Sequence, residues 1–591
     1  MNTIVSLILN HIIYICIDSC RNITTPTCPQ LNPLLLRHME THSGTTTGPH
    51  RSSMTLPVSA DGSETALIEQ CGAHIGEDTV ASSESVPALR FQKNTLPHLP
   101  VEILANIFMY IVSEEESYMG VSNPRGAPAC LAATHVCRYW RETALECSTL
   151  WAFIDGVSAQ WLSTMLERSR KAALVVIYND PKPLRQCGFE KILLQLPRIK
   201  FLQLCPSPPE ADRILDCLSS LPAPLLHTFK FVVFGNATFA KPISDTIFQG
   251  KAPRLRSVQL VQCYYSWTSC IFSGLRSLHI GLSPKRSPLS QILSALRRMP
   301  ELELLTLEPR SFKHSNAPFD QVALPRLRRM ELSNSTIHTA TSFFSHLVLP
   351  VDVRVVLSLT KIESAQSFAD LFSVIHKNHD ESVPVIRSLR VSLLHDLFTL
   401  RFSTSIPEHP WAPRDSDIRL SIAFLHNSWI TKPDILFDIC RMVPHRKIQH
   451  LVASFPGLDT TEEFWRTGSV DLPKLESIHL DDTPIQGLLL ALLARDERRH
   501  PAYPSLRVLE LENINLGCKE RLFLEQVLTV LRDGRGVGIH TLRLTRCRNL
   551  MCDDVARLQT TVFVDWDRHE DALTDTDGGC LCHSCNDNNS E

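Results

Sequence analysis

The chain has 591 residues, of which 43% are hydrophobic and 20% charged, a composition that describes a globular protein with material for more than one domain. Its formal net charge is −3 and its pI is near 6.8, so no global positive field points to nucleic acid. Nineteen cysteines are too sparse for a disulfide scaffold and read as small buried thiols of a reducing compartment.

Residues 1–92 read as a disordered N-terminal extension with an apolar start. The opening MNTIVSLILNHIIYICIDS has no Lys or Arg ahead of its apolar run, His11 interrupts the run and Asp18 ends it. A secretory signal needs a positive start and a small-residue cleavage site, and a spanning helix needs about 20 clean apolar residues. Neither secretion nor membrane attachment is therefore expected, and the sequons at Asn22, Asn236, Asn334 and Asn588 carry no weight. The stretch to residue 92 is rich in Thr, Ser, Pro, Gly and His and has no sustained periodicity.

Residues 93–152 predict a small helical module. Pro100 suits the first turn of a helix, where its missing N–H costs nothing, and Glu102 sits at the positive end of that helix. Ile103, Leu104, Ile107, Phe108 and Ile111 recur at helical spacing and give one broad apolar face. Ser113 to Pro128 breaks the pattern with three glutamates, two glycines and two prolines and reads as a solvated loop. A second helix carries Leu131, Val136, Tyr139 and Trp140, flanked by Arg138 and Arg141.

The order LPHLPVEIL, then VCRYW, then LW resembles an F-box, the helical module that docks proteins onto the Skp-type adaptor of a cullin ubiquitin ligase. The resemblance covers about a tenth of the chain, and the long insert between its halves departs from the compact family pattern. It implies an adaptor-binding face of Leu99, Pro100, Ile103, Leu104, Ile107, Val136, Trp140 and Trp151, some of which are expected to form the module's own core. It also implies a non-catalytic receptor working in the cytoplasm, the nucleus or both.

After Trp151 a unit Pro-x-Leu-x-x-Leu-x-Leu recurs. It is plainest at Pro253, Pro300, Pro325, Pro473 and Pro504, weaker at Pro197, Pro224 and Pro384, and present without proline from Ser273 and Val537. Degenerate copies fit at Pro350, Pro413 and Arg446, and successive starts are mostly 25 to 33 residues apart. Alternate positions such as Val258 and Leu260 point to one side of a short strand, with Gln259 opposite. At the following turn stand Cys263 and Cys547, or the hydroxyls of Ser207, Ser283, Ser335 and Thr483, each able to bond the backbone of the next unit. Helical stretches follow at Ile214–Leu221, Ile292–Met299, Ile435–Cys440 and Leu522–Leu531. Residues 152–178 predict a strand, a helix and a strand that join the module to the repeats.

Strand, turn and helix in each unit resemble a leucine-rich repeat, which implies stacking into a solenoid over residues 153–565. An ordinary doubly wound sheet is the alternative, against which the even phase argues. The predicted class is thus α/β: a helical F-box module, a leucine-rich solenoid, and a flexible tail over residues 566–591. The order of parts resembles the expanded F-box families of mushroom-forming fungi.

No catalytic, cofactor-binding or metal site is expected. CLCHSC offers Cys580, Cys582, His583 and Cys585, but in a polar tail and without paired metal-ligand spacing. The run Asp533 to Gly538 is glycine-rich but follows a helix and lacks the Lys-Ser/Thr of a phosphate loop. The expected partners are the Skp-type adaptor, through it a cullin, and a protein target; nucleic acid and membrane are not expected. The outward strand positions Gln259, His279, Thr306, Glu331, His479, Glu510 and Arg543 line up from unit to unit as the predicted target-binding face. A leucine-rich interaction scaffold without a ubiquitin-ligase role is the alternative.

Overall fold

The computed structural model describes residues 99–114, 130–155, 159–178, 187–233, 241–283, 287–308, 312–313, 321–360, 365–376, 385–394, 397–405, 418–424, 447–458, 460–494, 502–533 and 538–568. The N-terminal extension, the loop around residues 115–129, the Ile435–Cys440 stretch, most of the glycine-rich run and the CLCHSC tail lie outside them. The chain divides into two compact units, residues 1–107 and 108–591. The described part of the first unit is the N-terminal portion of a helix, α1 (Val101–Glu114), which starts directly after Pro100 as the sequence predicts.

In the second unit the expected single helix around Trp140 is two, α2 (Leu131–Thr134) and α3 (Arg138–Glu146). Cys137 breaks the run. Its backbone is extended (φ −153°, ψ 174°), and its side-chain sulfur accepts a hydrogen bond from the Trp140 N–H at 3.5 Å, so it caps α3 instead of continuing α2. A short 3₁₀ turn, Leu150–Ala152, leads into the sheet.

Among the described residues that sheet has 17 strands, and its make-up follows from the repeat. Nine strands run in parallel succession: β1 (Phe153–Asp155), β2 (Leu174–Tyr178), β3 (Ile199–Leu204), β4 (Thr228–Val232), β5 (Ser257–Val261), β6 (Ser277–Gly281), β7 (Leu304–Leu307), β8 (Arg329–Ser335) and β9 (Arg354–Leu359). The apolar positions of successive units pair in register, as in Phe229–Val258–Leu278–Leu305–Met330–Val355 and Phe231–Leu260–Ile280–Leu307–Leu332–Leu357. All twelve are buried. Each unit presents one apolar strand face that only its neighbours cover, which is why the order in sequence is the order in the sheet.

The even succession fails once. β10 (Ser388–Leu394) and β11 (Leu397–Ser403) are separated by two residues, a connection that permits only an antiparallel neighbour. β12 (Ile418–Phe424) turns back again, pairing antiparallel with β11 and parallel with β9. The local order is therefore β9–β12–β11–β10–β13, not the parallel sequence of units expected from Pro350, Pro384 and Pro413. Parallel pairing then resumes through β13 (His450–Ser454), β14 (Ser477–Asp481), β15 (Val508–Glu512), β16 (Thr541–Thr545) and β17 (Phe563–Trp566).

Helices occupy several intervals between strands, among them the expected Pro208–Ser220, Leu289–Arg297 and Cys518–Asp533. The first is held by a capping box, Ser207 with Glu210. At the ends of β5, β6, β8, β14, β15 and β16 the chain turns through a left-handed residue: Gln262, Leu282, Asn334, Asp482, Asn513 and Arg546, with φ between 42° and 56°. None is glycine, so this device is invisible to a search for glycine turns.

Three of the small side chains next to these residues bond backward, not forward, whereas Ser335 Oγ donates to Thr336 O at 3.1 Å. Cys263 Sγ contacts Phe231 O (3.4 Å), Cys547 Sγ contacts Leu511 O (3.4 Å), and Thr483 Oγ1 accepts from Phe455 N–H (2.8 Å). Each partner belongs to the preceding unit. Each of these bonds holds its turn against the strand end of that unit.

Candidate docking surfaces

Two surfaces follow from the predicted sites. In the first unit, Pro100, Val101 and Ile103 are exposed, Ile103 by 47%, whereas Leu104 is fully buried. Leu99 and Ile107 are half-buried. An exposed isoleucine at the start of a helix leaves apolar area in water that a partner can remove.

In the second unit the two tryptophans are structural. Trp140 is 8% exposed and meets Phe108 edge to face at 5.3 Å. Trp151 is 1% exposed, donates its indole N–H to Ala144 O at 2.8 Å, and carries the Arg168 guanidinium 4.6 Å above its ring. Arg141 ties α3 to α2 by donating to Thr134 O at 2.8 Å. Val136, in the break between those helices, is half-buried. Burial thus separates the eight expected adaptor residues: Leu104, Trp140 and Trp151 are core, Pro100 and Ile103 are surface, and Leu99, Ile107 and Val136 lie between.

The second surface is the outward face of the sheet. Pairing register places Gln259, His279, Thr306 and Glu331 side by side, continues through Val356, Ser421, Arg401, Arg390 and Val452, and ends on His479, Glu510, Arg543 and Asp565. The seven expected positions therefore share one row across the sheet, despite the antiparallel interruption. They are not equally accessible. Gln259, His279, Thr306 and Glu331 are half-buried and Arg543 is exposed, but His479 and Glu510 are buried.

The buried pair belongs to a charged network. His479 Nδ1 lies 3.1 Å from Glu510 and its Nε2 lies 3.1 Å from Glu512. Arg543 reaches Glu510 at 2.7 Å, and Arg546 pairs with Glu512. Asn513 donates to Asp481 at 2.7 Å, and Ser454 donates to the same carboxylate at 3.0 Å. Burial pushes the Glu510 carboxyl upward, but the His479 hydrogen bond and the charges of His479 and Arg543 outweigh it and hold the group below its ordinary value. Burial drives His450, one strand away, down to about 4 against the opposing pull of Glu510. Its Nδ1 meets Ser477 Oγ at 2.9 Å and its buried Nε2 has no hydrogen-bond partner. On the other half of the row burial lowers His279, with Glu308 and Glu331 opposing.

Sequence reasoning missed Asp481, Glu512 and Arg546 as members of this network. Asp481 and Glu512 were reachable, since they lie two residues beyond His479 and Glu510 on the same strand face. Arg390 and Arg401 were not, because only the unforeseen hairpin brings them into the row. Among the described residues no cluster of His, Cys, Asp and Glu could hold a metal, and no helix is long and apolar enough to cross a membrane.

Residues 96–155 match the family model described as F-box-like. The chain therefore contains an F-box-like domain, and such domains generally bind Skp-type adaptors and are typically non-catalytic. In general terms this indicates an adaptor-type role in ubiquitin ligation. A comparison with curated proteins found no match.

Proposed function

We propose that the protein is a substrate receptor of a Skp–cullin–F-box ubiquitin ligase. The F-box-like match at residues 96–155 is the observation that carries this reading. Adaptor contact falls to the accessible members of the expected set, Pro100 and Ile103 with Leu99, Ile107 and Val136; Leu104, Trp140 and Trp151 support the module from within. The strand–turn–helix units of the second unit are leucine-rich repeats stacked as a solenoid, which the in-register apolar columns and the sequential parallel order support. A protein target docks on the outward row from Gln259 to Arg543, where charges of both signs alternate with neutral groups. On this reading the protein works in the cytoplasm, the nucleus or both.

Proximity labelling with and without proteasome inhibition tests the reading. Proteins labelled by the wild type should accumulate on inhibition, carry ubiquitin, and lose that ubiquitin when Ile103→Asp is introduced. Labelled proteins whose ubiquitination ignores Ile103→Asp would favour a scaffold with no ligase role.

A further inference from the structure

The sheet has a second ladder along the starts of the early strands. His227 N–H donates to Lys200 O (2.8 Å), Arg256 to His227 (2.9 Å), Arg276 to Arg256 (2.7 Å), Glu303 to Arg276 (2.7 Å), Arg328 to Glu303 (2.8 Å) and Arg354 to Arg328 (2.8 Å). By pairing register Lys200, His227, Arg256, Arg276, Glu303 and Arg328 form one row along the strand-start edge, spanning about 24 Å at about 4.8 Å per strand, with Arg354 one residue further along its strand. Four of the six are cations and one is an acid. Arg254 and Arg326 lie two residues before Arg256 and Arg328 and add to the same edge.

The acids at this edge are already engaged. Glu303 lies 3.8 Å from Arg276, and Glu301 pairs with Arg326. Arg256 donates to Leu255 O (3.0 Å) and to Gly274 O (3.4 Å), contacts that hold its guanidinium in place without neutralising it. Lys200, Arg254 and Arg328 are exposed, and among the described residues no carboxylate lies within ion-pair distance of them. The later half of the sheet does not share this character: its ladder reads Arg387, Gln449, Glu476, Arg507, His540 and Phe563. In a chain of net charge −3 the excess at the early edge is local, not a reflection of composition.

We propose that this edge is a docking surface for an acidic polypeptide segment of a partner protein. About seven extended residues cover its length. Glu303 in the middle of the row argues for polypeptide over nucleic acid. It repels an unbroken run of phosphates, whereas a polypeptide can set a neutral or basic residue opposite it. The row also lacks the aromatic side chains on which unpaired bases stack. The inference stands independently of the ubiquitin-ligase reading, because it uses no residue of the F-box-like domain.

Fluorescence anisotropy with the full chain tests it. The probes are a labelled peptide of about ten glutamates, its glutamine counterpart and a thymidine oligonucleotide of similar length. The glutamate peptide should bind and weaken steeply with salt, and the glutamine peptide should not bind. The triple variant Lys200→Glu, Arg254→Glu, Arg328→Glu should lose at least about tenfold in affinity for the glutamate peptide, whereas Glu303→Gln should gain severalfold. The opposite directions separate a docking effect from simple unfolding. Equal peptide affinity in wild type and both variants overturns the proposal. So does tighter binding of the oligonucleotide than of the peptide, which would reassign the edge to nucleic acid.

Discussion

Single residues set both the strength of the core and its response to acid. Leu260 and Ile478 are buried on both sides by paired residues of neighbouring units, so truncating either to Ala removes contacts from three units at once. Each change should cost roughly 2–5 kcal/mol in urea unfolding, and a loss below about 1 kcal/mol would mean that the columns do not carry the fold. His450 is held neutral in the fold by burial, at about 4, whereas the unfolded chain restores about 6.5. Between those values the unfolded state binds the extra proton, so this contribution to stability is intact above about pH 6.5 and is lost as pH falls towards 4. Glu510 acts in the same sense, since a depressed carboxyl contributes stability above its unfolded value that is lost as pH falls through the folded one. Thermal melts should therefore show a falling midpoint from pH 6.5 to 4, and His450→Gln should flatten that slope. An unchanged slope in His450→Gln would remove His450 as its source.

At the scale of elements the turn is the distinctive feature. Six strand ends pass through left-handed backbone with residues other than glycine, a conformation that costs roughly 1–2 kcal/mol for a side chain with no local polar compensation. Leu282 has no such compensation, and its N–H bond to Glu308 (3.0 Å) survives substitution. Leu282→Gly should raise stability by about 1 kcal/mol and Leu282→Val should lower it, read as shifts of the denaturant midpoint; the reverse order would mean that its half-buried side chain matters more than its backbone. The strands themselves were legible in the sequence because the apolar spacing of Leu255, Val258 and Leu260 repeats, and side-chain direction in a strand follows from spacing alone. Three things were not legible. Cys137 caps a helix where composition suggested continuity, three turn side chains bond to the unit behind them, and two residues between Leu394 and Leu397 reverse the chain where weak copies of the repeat suggested another parallel unit. Each depends on a backbone choice that no side-chain pattern announces. The alignment of the outward positions follows from the repeat spacing. The burial of His479 and Glu510 within that row does not, because it arises from the network that Asp481, Glu512 and Arg546 build around them.

On the scale of the whole molecule, the proposed receptor keeps its two tasks on different parts of the chain. The accessible members of the outward row are the fair test of target docking. Reversing Glu510 would strand a buried charge beside His479 and confound binding with unfolding. Glu331→Lys with Gln259→Lys, neither paired with the buried network, should abolish capture of a target identified by proximity labelling while leaving adaptor binding unchanged; capture that persists would move the docking site off this face. The central claim is adaptor binding itself. Co-expressing the full chain with a Skp-type adaptor and measuring their dissociation constant tests it most directly. A stable one-to-one complex is expected, weakened by about 2 kcal/mol or more in Pro100→Ala with Ile103→Ala and unaffected by Glu331→Lys. Absence of a complex with the folded wild type, or an affinity indifferent to Pro100 and Ile103, would contradict it.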